Sequence, residues 1–313
     1  MRYIAIYLVF SPDFAARCLA RSRVPDHARC PHNTVKTFHL GIPGVSSPPA
    51  DRRFSASSRP GTPRPAEGSA AGGVALPPNP AISVIVPTWN EGRSLPALLE
   101  SVRRQTVQGF EIIVADSGST DGTRETAVAF GARYLAGERK GPAEGRNRGA
   151  GQARADTLVF VDADCVLPPD VLERVLIALE DPSVIGGATL FRPLDGTLAE
   201  RSLLFLANAY QKAMTVWGLP HNAGFCFFFR RPAFERLRGL REDLFLNETH
   251  DIALRSRSLG QFVSLPVAVS TSMRRFRKNG FAKTVLHEYL GSTLVYYLAR
   301  RVPPSEFRPE PVR

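Results

Sequence analysis

The chain has 313 residues, 43% of them apolar and 22% charged, enough to bury a substantial core in one large domain or two modest ones. Its formal charge of +11 is uneven: residues 1–80 hold 10 Lys/Arg against 4 Asp/Glu, residues 270–313 hold 9 against 3, and the middle is close to neutral. A nucleic-acid-binding core is thereby disfavoured, no stretch reaches the roughly eighteen apolar residues of a spanning helix, and the basic ends are either solvated tails or surfaces for anionic lipid.

The opening MRYIAIYLVF pairs one arginine with an apolar stretch as signal peptides do, yet no small-residue cleavage site follows, and the reading goes against secretion. Cys18, Cys30, Cys165 and Cys226 form no CxxC pair and no regular spacing, so neither a zinc site nor a disulfide framework is indicated and a reducing compartment fits. Residues 1–40 show no sustained period and read as a targeting remnant or as sequence upstream of the true start. From about 41 to 80, Pro, Gly, Ser, Ala and Arg dominate, a composition that predicts a disordered arm.

Order begins at 81, where AISVIVP reads as a strand buried on both faces. After TWNEGR, Ser94 is placed to cap a helix whose Leu95, Leu98, Leu99 and Val102 follow helical spacing. FEIIVA is the second strand, followed by DSGSTDGT and a helix through Phe130 that Gly131 terminates. ARYL makes a short third strand, PAEGRNRGAGQARA a small-residue helix, and TLVFV the fourth strand. This alternation predicts an α/β layered domain with a parallel sheet, and ligands of such sheets sit beyond the carboxyl ends of the strands. Three of those ends carry polar loops: TWNEG, DSGSTDGT and DADC. Further on, VIGGATL reads as an edge strand, LAERSLLFLANAYQKAMTVWG as a long amphipathic helix and GFCFFFRR as a buried strand. THDIALRSRSLG reads as a helix and FVSLPVAVST as extended structure. FAKTVLHEYLGSTLVYYLARR is an amphipathic segment, interrupted by His287 and Glu288, that either closes the core or lies on a membrane.

Asp162 and Asp164 end the fourth strand one residue apart. In extended backbone, positions i and i+2 face one side, so both carboxylates aim at one point where Mg²⁺ or Mn²⁺ would relieve their repulsion, with water and substrate phosphates completing its shell. Asp116 closes the second strand where a base or ribose could donate to it, and Asp121 reads as a cap for the next helix. Pro87, Thr88, Asn90 and Glu91 line the first loop; Glu91 serves either a nucleotide or the positive end of the following helix. The run holding Arg274, Arg275, Arg277 and Lys278 is either a phosphate grip or a solvated charge run. His221 and Asn222 either meet an acceptor or simply shape a loop.

ISVIVPTWNEGRSLPALLESVRRQT, EIIVADSGSTDGT, GRNRGA and FVDADCVLPPD, in this order and spacing, resemble family 2 glycosyltransferases of the GT-A fold. GFCFFFRRPAFERLRGLRE resembles the family's acceptor-side segment and NETHDIALRSRSLG its ED-type catalytic motif. The resemblance covers residues 81 to about 280. It implies a Rossmann-like, mostly parallel mixed sheet flanked by helices: a GT-A domain over 81–275, with a nucleotide-sugar-binding half at 81–190 and an acceptor half at 191–275. A disordered extension over 1–80 would precede it and an amphipathic helix and tail over 276–313 would follow. It further implies inverting transfer from a nucleotide-diphosphate sugar, with a cation on Asp164 and Asp162, Asp116 and the Pro87–Glu91 loop at the nucleoside, and Arg146 and Asn147 bordering the donor. The acceptor would be a glycan hydroxyl or a polyprenyl lipid in envelope glycan or glycolipid synthesis. The setting would be cytoplasmic or peripheral on the plasma membrane. One position departs from the family: Thr249 stands where a catalytic Asp is usual and cannot act as a base. Glu248 is the first substitute, Asp251 the second, and His250 is chemically competent if it faces the pocket. Against these stand a capping role for Glu248, an Asp251–Arg255 pair and an exposed His250. Two rival readings remain: a sugar-1-phosphate nucleotidyltransferase, for which TWNEGR makes a poor phosphate loop, and a non-catalytic relative, which would explain Thr249.

Overall fold

The computed structural model describes residues 79–244, 246–280 and 283–299. The expectations for the first 78 residues, including Cys18 and Cys30, and for residues 300–313 lie outside the described residues.

The described chain runs β1 (Ile82–Thr88), α1 (Leu95–Arg103), β2 (Phe110–Asp116), α2 (Thr123–Ala129), β3 (Arg133–Leu135), α3 (Pro142–Gln152), β4 (Thr157–Val161) and β5 (Cys165–Val166). It continues with α4 (Val171–Ala178), β6 (Val184–Pro193), α5 (Leu198–Val216), β7 (Cys226–Arg230), α6 (Arg231–Arg236), α7 (Glu248–Ser256), β8 (Gln261–Thr271) and α8 (Arg274–Asn279). One mixed sheet has the order β3-β2-β1-β4-β7-β6-β8-β5. The β3-β2-β1-β4 half is parallel throughout, and the antiparallel β7 joins it to the parallel β6–β8 pair.

The unbroken apolar runs have the expected cause. Successive side chains of a strand point to opposite faces, and here both faces are covered. Ile82, Val84 and Val86 pack with Leu95, Leu98 and Leu99 of α1 and with α4, whereas Ile85, Ile113 and Phe160 pack with Ala143 and Ala150 of α3 and with α6 and α7. The β1–β2 register ends with Thr88 opposite Asp116, so two of the polar loops leave the sheet side by side.

Two local readings change. Ser94 does not cap α1; its backbone is helical and its hydroxyl instead accepts from Arg274 at 3.1 Å. VIGGATL is not an edge, because β6 pairs with β7 on one side and β8 on the other. Its two glycines make room for the phenylalanines of β7: a β-carbon on Gly186 would lie 2.7 Å from the Phe229 ring, and one on Gly187 would lie 2.7 Å from the Phe228 ring and 2.5 Å from the Val263 carbonyl. Backbone cannot yield as a side-chain tip can, so Gly187→Ala is expected to cost about 2–3 kcal/mol. Urea unfolding checks this, and a midpoint matching that of the parent protein would show the strands to be looser than this packing.

The C-terminal segment is two pieces, a π-helix (Lys283–Gly291) and α9 (Ser292–Ala299). Tyr296 of α9 is buried, and its hydroxyl donates to Asp251 at 2.6 Å, which ties α9 to α7. No helix among the described residues is long and apolar enough to cross a membrane.

Candidate active site

The polar loops after β1 and β2 are laced together by their own side chains. Asp116, fully buried at the end of β2, accepts from the hydroxyls of Thr88 (2.9 Å), Ser119 (2.5 Å) and Tyr134 (2.8 Å) and from the amides of Gly118 and Ser119. Burial alone would raise its pKa; the hydrogen bonds from Ser119, Tyr134 and Thr88 outweigh burial and hold it below the usual aspartate range. Asn90 sits in the left-handed region at φ 56°, which asparagine tolerates, and from there its amide donates to Ser119 and its side-chain oxygen accepts from Thr120. Asp121 accepts from the first amide of α2, Thr123, as its capping reading requires, and also from Gly92 of the first loop. Pro87 lies beside α3, where a β-carbon on Gly145 would meet it at 3.5 Å.

Asp162 and Asp164 do not share one extended strand. β4 ends at Val161 and the chain turns, with the Cys165 amide donating to the Asp162 carbonyl at 3.1 Å. The turn still keeps the two acids close enough to repel: burial, then the charge of Asp162, pushes the pKa of Asp164 up to about 6, against the pull of Arg274. Each acid has its own guanidinium. Arg146 donates to Asp162 at 2.6 Å, and Arg274 lies 3.4 Å from Asp164. Arg274 also pairs with Glu91, whose second carboxylate oxygen is buried without a hydrogen-bond partner.

Arg146 has a second partner. It projects from α3 into the core, where its other terminal nitrogen donates to Glu248 at 2.9 Å. Burial raises the pKa of Glu248, opposed by Arg146; burial also opposes the charge of Arg146, but the two carboxylates outweigh it and raise its pKa. Thr249, at the position that departs from the family, donates to the Asn222 carbonyl at 3.2 Å and packs on Gly224, whose φ of 92° and missing side chain permit that approach. His250 is buried rather than exposed; its ring lies 4.4 Å from that of His221 and its Nε2 is 3.1 Å from the Tyr297 hydroxyl. Burial pushes the pKa of His221 down to about 4, so that ring is neutral.

Asp162, Asp164, Glu91, Arg146, Arg274 and Glu248 thus form one connected set at the rim where the Asp116 loop lies. Arg275 is half-buried and close enough to lower the pKa of Asp164. Two expected residues join other sets. The Asn147 side chain bonds to Leu240 and Glu242, and Asp251 is held by Arg255 (2.6 Å) and Tyr296. The sequence reading missed Tyr134 on Asp116 and the double role of Arg146. ARYL did signal a strand beside β2, which is what brings Tyr134 there.

Among the described residues no three His, Cys, Asp or Glu side chains gather as a metal cage. The donors present nevertheless suit a hard cation: two carboxylates that repel each other, with the buried, unpartnered oxygen of Glu91 in the same connected set. Mg²⁺ and Mn²⁺ are commonly held by one or two carboxylates, with water and phosphate supplying the rest.

Residues 83–238 match the family model described as glycosyl transferase family 2. Over 133 residues the chain is 35% identical to the glycosyltransferase AglE of Haloferax volcanii, a match covering 39% of this chain and 44% of that protein. Over 157 residues it is 35% identical to a PGL/p-HBAD biosynthesis glycosyltransferase of Mycobacterium bovis, covering 43% of this chain and 60% of the relative. The chain therefore spans about half the length of these curated relatives. Its fold is similar to the solved mannosyltransferase PcManGT of Pyrobaculum calidifontis in complex with GDP-Man and Mn²⁺, with a TM-score of 0.57, 25% identity, and coverage of 75% of this chain and 70% of that one.

Proposed function

Given that the chain belongs to glycosyl transferase family 2 and has a GT-A fold, we propose that it moves a sugar, with inversion, from a nucleotide-diphosphate sugar to a hydroxyl or lipid-phosphate acceptor. The observation that carries this reading is the Arg146 bridge, which links Asp162 and Glu248 through one buried guanidinium at 2.6 and 2.9 Å.

Asp164 and Asp162 would hold Mg²⁺ or Mn²⁺, which when bound supplies charge neutralisation for the leaving diphosphate. Arg274 and Arg275 flank Asp164 and add guanidinium donors of phosphate-matching geometry. The Asp116 loop, with Thr88, Asn90 and Glu91, receives the nucleoside; its mutual hydrogen bonds preorganise it before the donor arrives. Glu248 is the base. Arg146 holds its Oε1, leaving Oε2 to take the acceptor proton as the acceptor oxygen attacks the sugar and the bond to the diphosphate breaks. Burial raises the affinity of Glu248 for a proton, which strengthens it as a base.

A panel of uridine, guanosine and thymidine diphosphate sugars, with Mn²⁺ and with polyprenyl phosphates or glycans as acceptors, tests this by release of nucleoside diphosphate. Cation-dependent release from one donor is expected. A requirement for a nucleoside triphosphate would point instead to nucleotidyl transfer. Donor binding without release under any acceptor would fit a non-catalytic relative, for which Thr249 is the motivating residue.

A further inference from the structure

Helix α5 packs Leu203, Leu204 and Ala207 against the core and yet carries further large apolar side chains on its outer face. Its capping box, Thr197 with Glu200, fixes its start, and Glu200, Leu204 and Gln211 are its buried residues. Outward, Leu198, Phe205 and Val216 are 82%, 71% and 84% exposed, with Leu206 and Trp217 beside them. Spacings of seven and then eleven residues bring these three onto one line along a helix roughly 28 Å long. Single exposed apolar residues are ordinary, whereas a contiguous apolar stripe marks an interaction surface.

Charge identifies what covers it. Arg201 and Lys212 are exposed on α5, and its one acid, Glu200, is buried and paired with Arg277, which also pairs with Asp195, an exposed acid that precedes the helix. A second copy placed face to face would set these cations against like charges with no exposed acid on α5 to pair them. The chain's own ends carry the same sign, residues 1–80 with 10 basic against 4 acidic and residues 300–313 with four arginines against two glutamates. An apolar stripe that ends in tryptophan, on a helix whose exposed charges are Arg201 and Lys212, matches the boundary between acyl chains and anionic headgroups.

We infer that α5 is a membrane-docking helix, which lies in the plane of an anionic bilayer surface with Leu198, Phe205, Val216 and Trp217 inserted. This contact is separate from the C-terminal segment and needs neither donor nor cation, so its failure and that of the proposed activity are distinguishable.

Sedimentation of the full chain with phosphatidylcholine vesicles, with and without roughly one-third phosphatidylglycerol, tests it. Binding to the anionic vesicles is expected, with a loss of about tenfold or more for Phe205→Glu/Val216→Glu. Should that variant fold poorly by its melting curve, Arg201→Gln/Lys212→Gln serves instead; it is expected to lose about thirtyfold and most of the salt dependence. Three results would overturn the inference: no binding by the parent chain, unchanged binding by the charge-bearing α5 variants because the basic termini carry it, or a parent dimer that these variants dissociate.

Discussion

Asp164→Asn is expected to abolish cation-dependent donor turnover, a loss of about a thousandfold or more, while raising the melting temperature of the metal-free protein. The two effects have one cause. Burial and the neighbouring charge of Asp162 push the pKa of Asp164 up to about 6, so the folded state holds a proton that the unfolded chain releases near 3.8. Stability therefore falls as pH rises between those values, and at neutral pH the full cost stands, on the order of 2–3 kcal/mol. Asparagine removes the charge and with it the cost, while Arg274 keeps Glu91 as a partner. Melts in chelator should show the variant ahead at about pH 7 and level with the parent near pH 4. Calorimetry with a nucleotide sugar, with and without Mn²⁺, reads the functional half. Retention of cation-dependent affinity by the variant would remove Asp164 from the metal site.

The parallel half of the sheet was legible because its signal is local. A run such as ISVIVP admits few environments other than a strand covered on both faces, and the polar loop after each run marks a carboxyl end. The misreadings share a different cause. VIGGATL taken alone does not show what flanks it, and its glycines answer the phenylalanines of β7, about 40 residues further on. Ser94 has the composition of a cap, but a guanidinium 180 positions away claims its hydroxyl. Asp162 and Asp164 stand close together after β4, but a turn rather than strand alternation sets their approach. Within the site, Glu248 and Asp162 were each visible as a motif residue, and the turn, strand and helix signals placed them near the sheet rim. What joins them was not visible, because Arg146 lies 102 residues from Glu248 and no local pattern distinguishes a bridging arginine from one that faces a donor.

That bridge carries the largest stability effect expected of a single substitution. Arg146→Met keeps the length and apolar contacts of the side chain but leaves Glu248 buried and Asp162 half-buried without their shared cation, which is expected to cost about 3–5 kcal/mol. The loss should depend on pH with a definite sign. Burial already raises the pKa of Glu248, and removing Arg146 takes away what opposes that rise, so the carboxyl protonates in the folded variant at a pH where the unfolded chain is ionised. Protonation discharges the buried group. Urea unfolding should therefore show a smaller deficit at about pH 5 than at about pH 8. Arg146→Met/Glu248→Leu should recover part of the deficit at the higher pH, because an apolar pair is often tolerated where a lone charge is not. Arg146→Lys should fall between the two, since an ammonium lacks the planar fork that reaches both carboxylates at once. If Arg146→Met unfolded with the parent midpoint at both pH values, Glu248 would have to be solvated. The surroundings of Arg146 would then be open to water, and Glu248 would lose the buried setting that raises its proton affinity as a base.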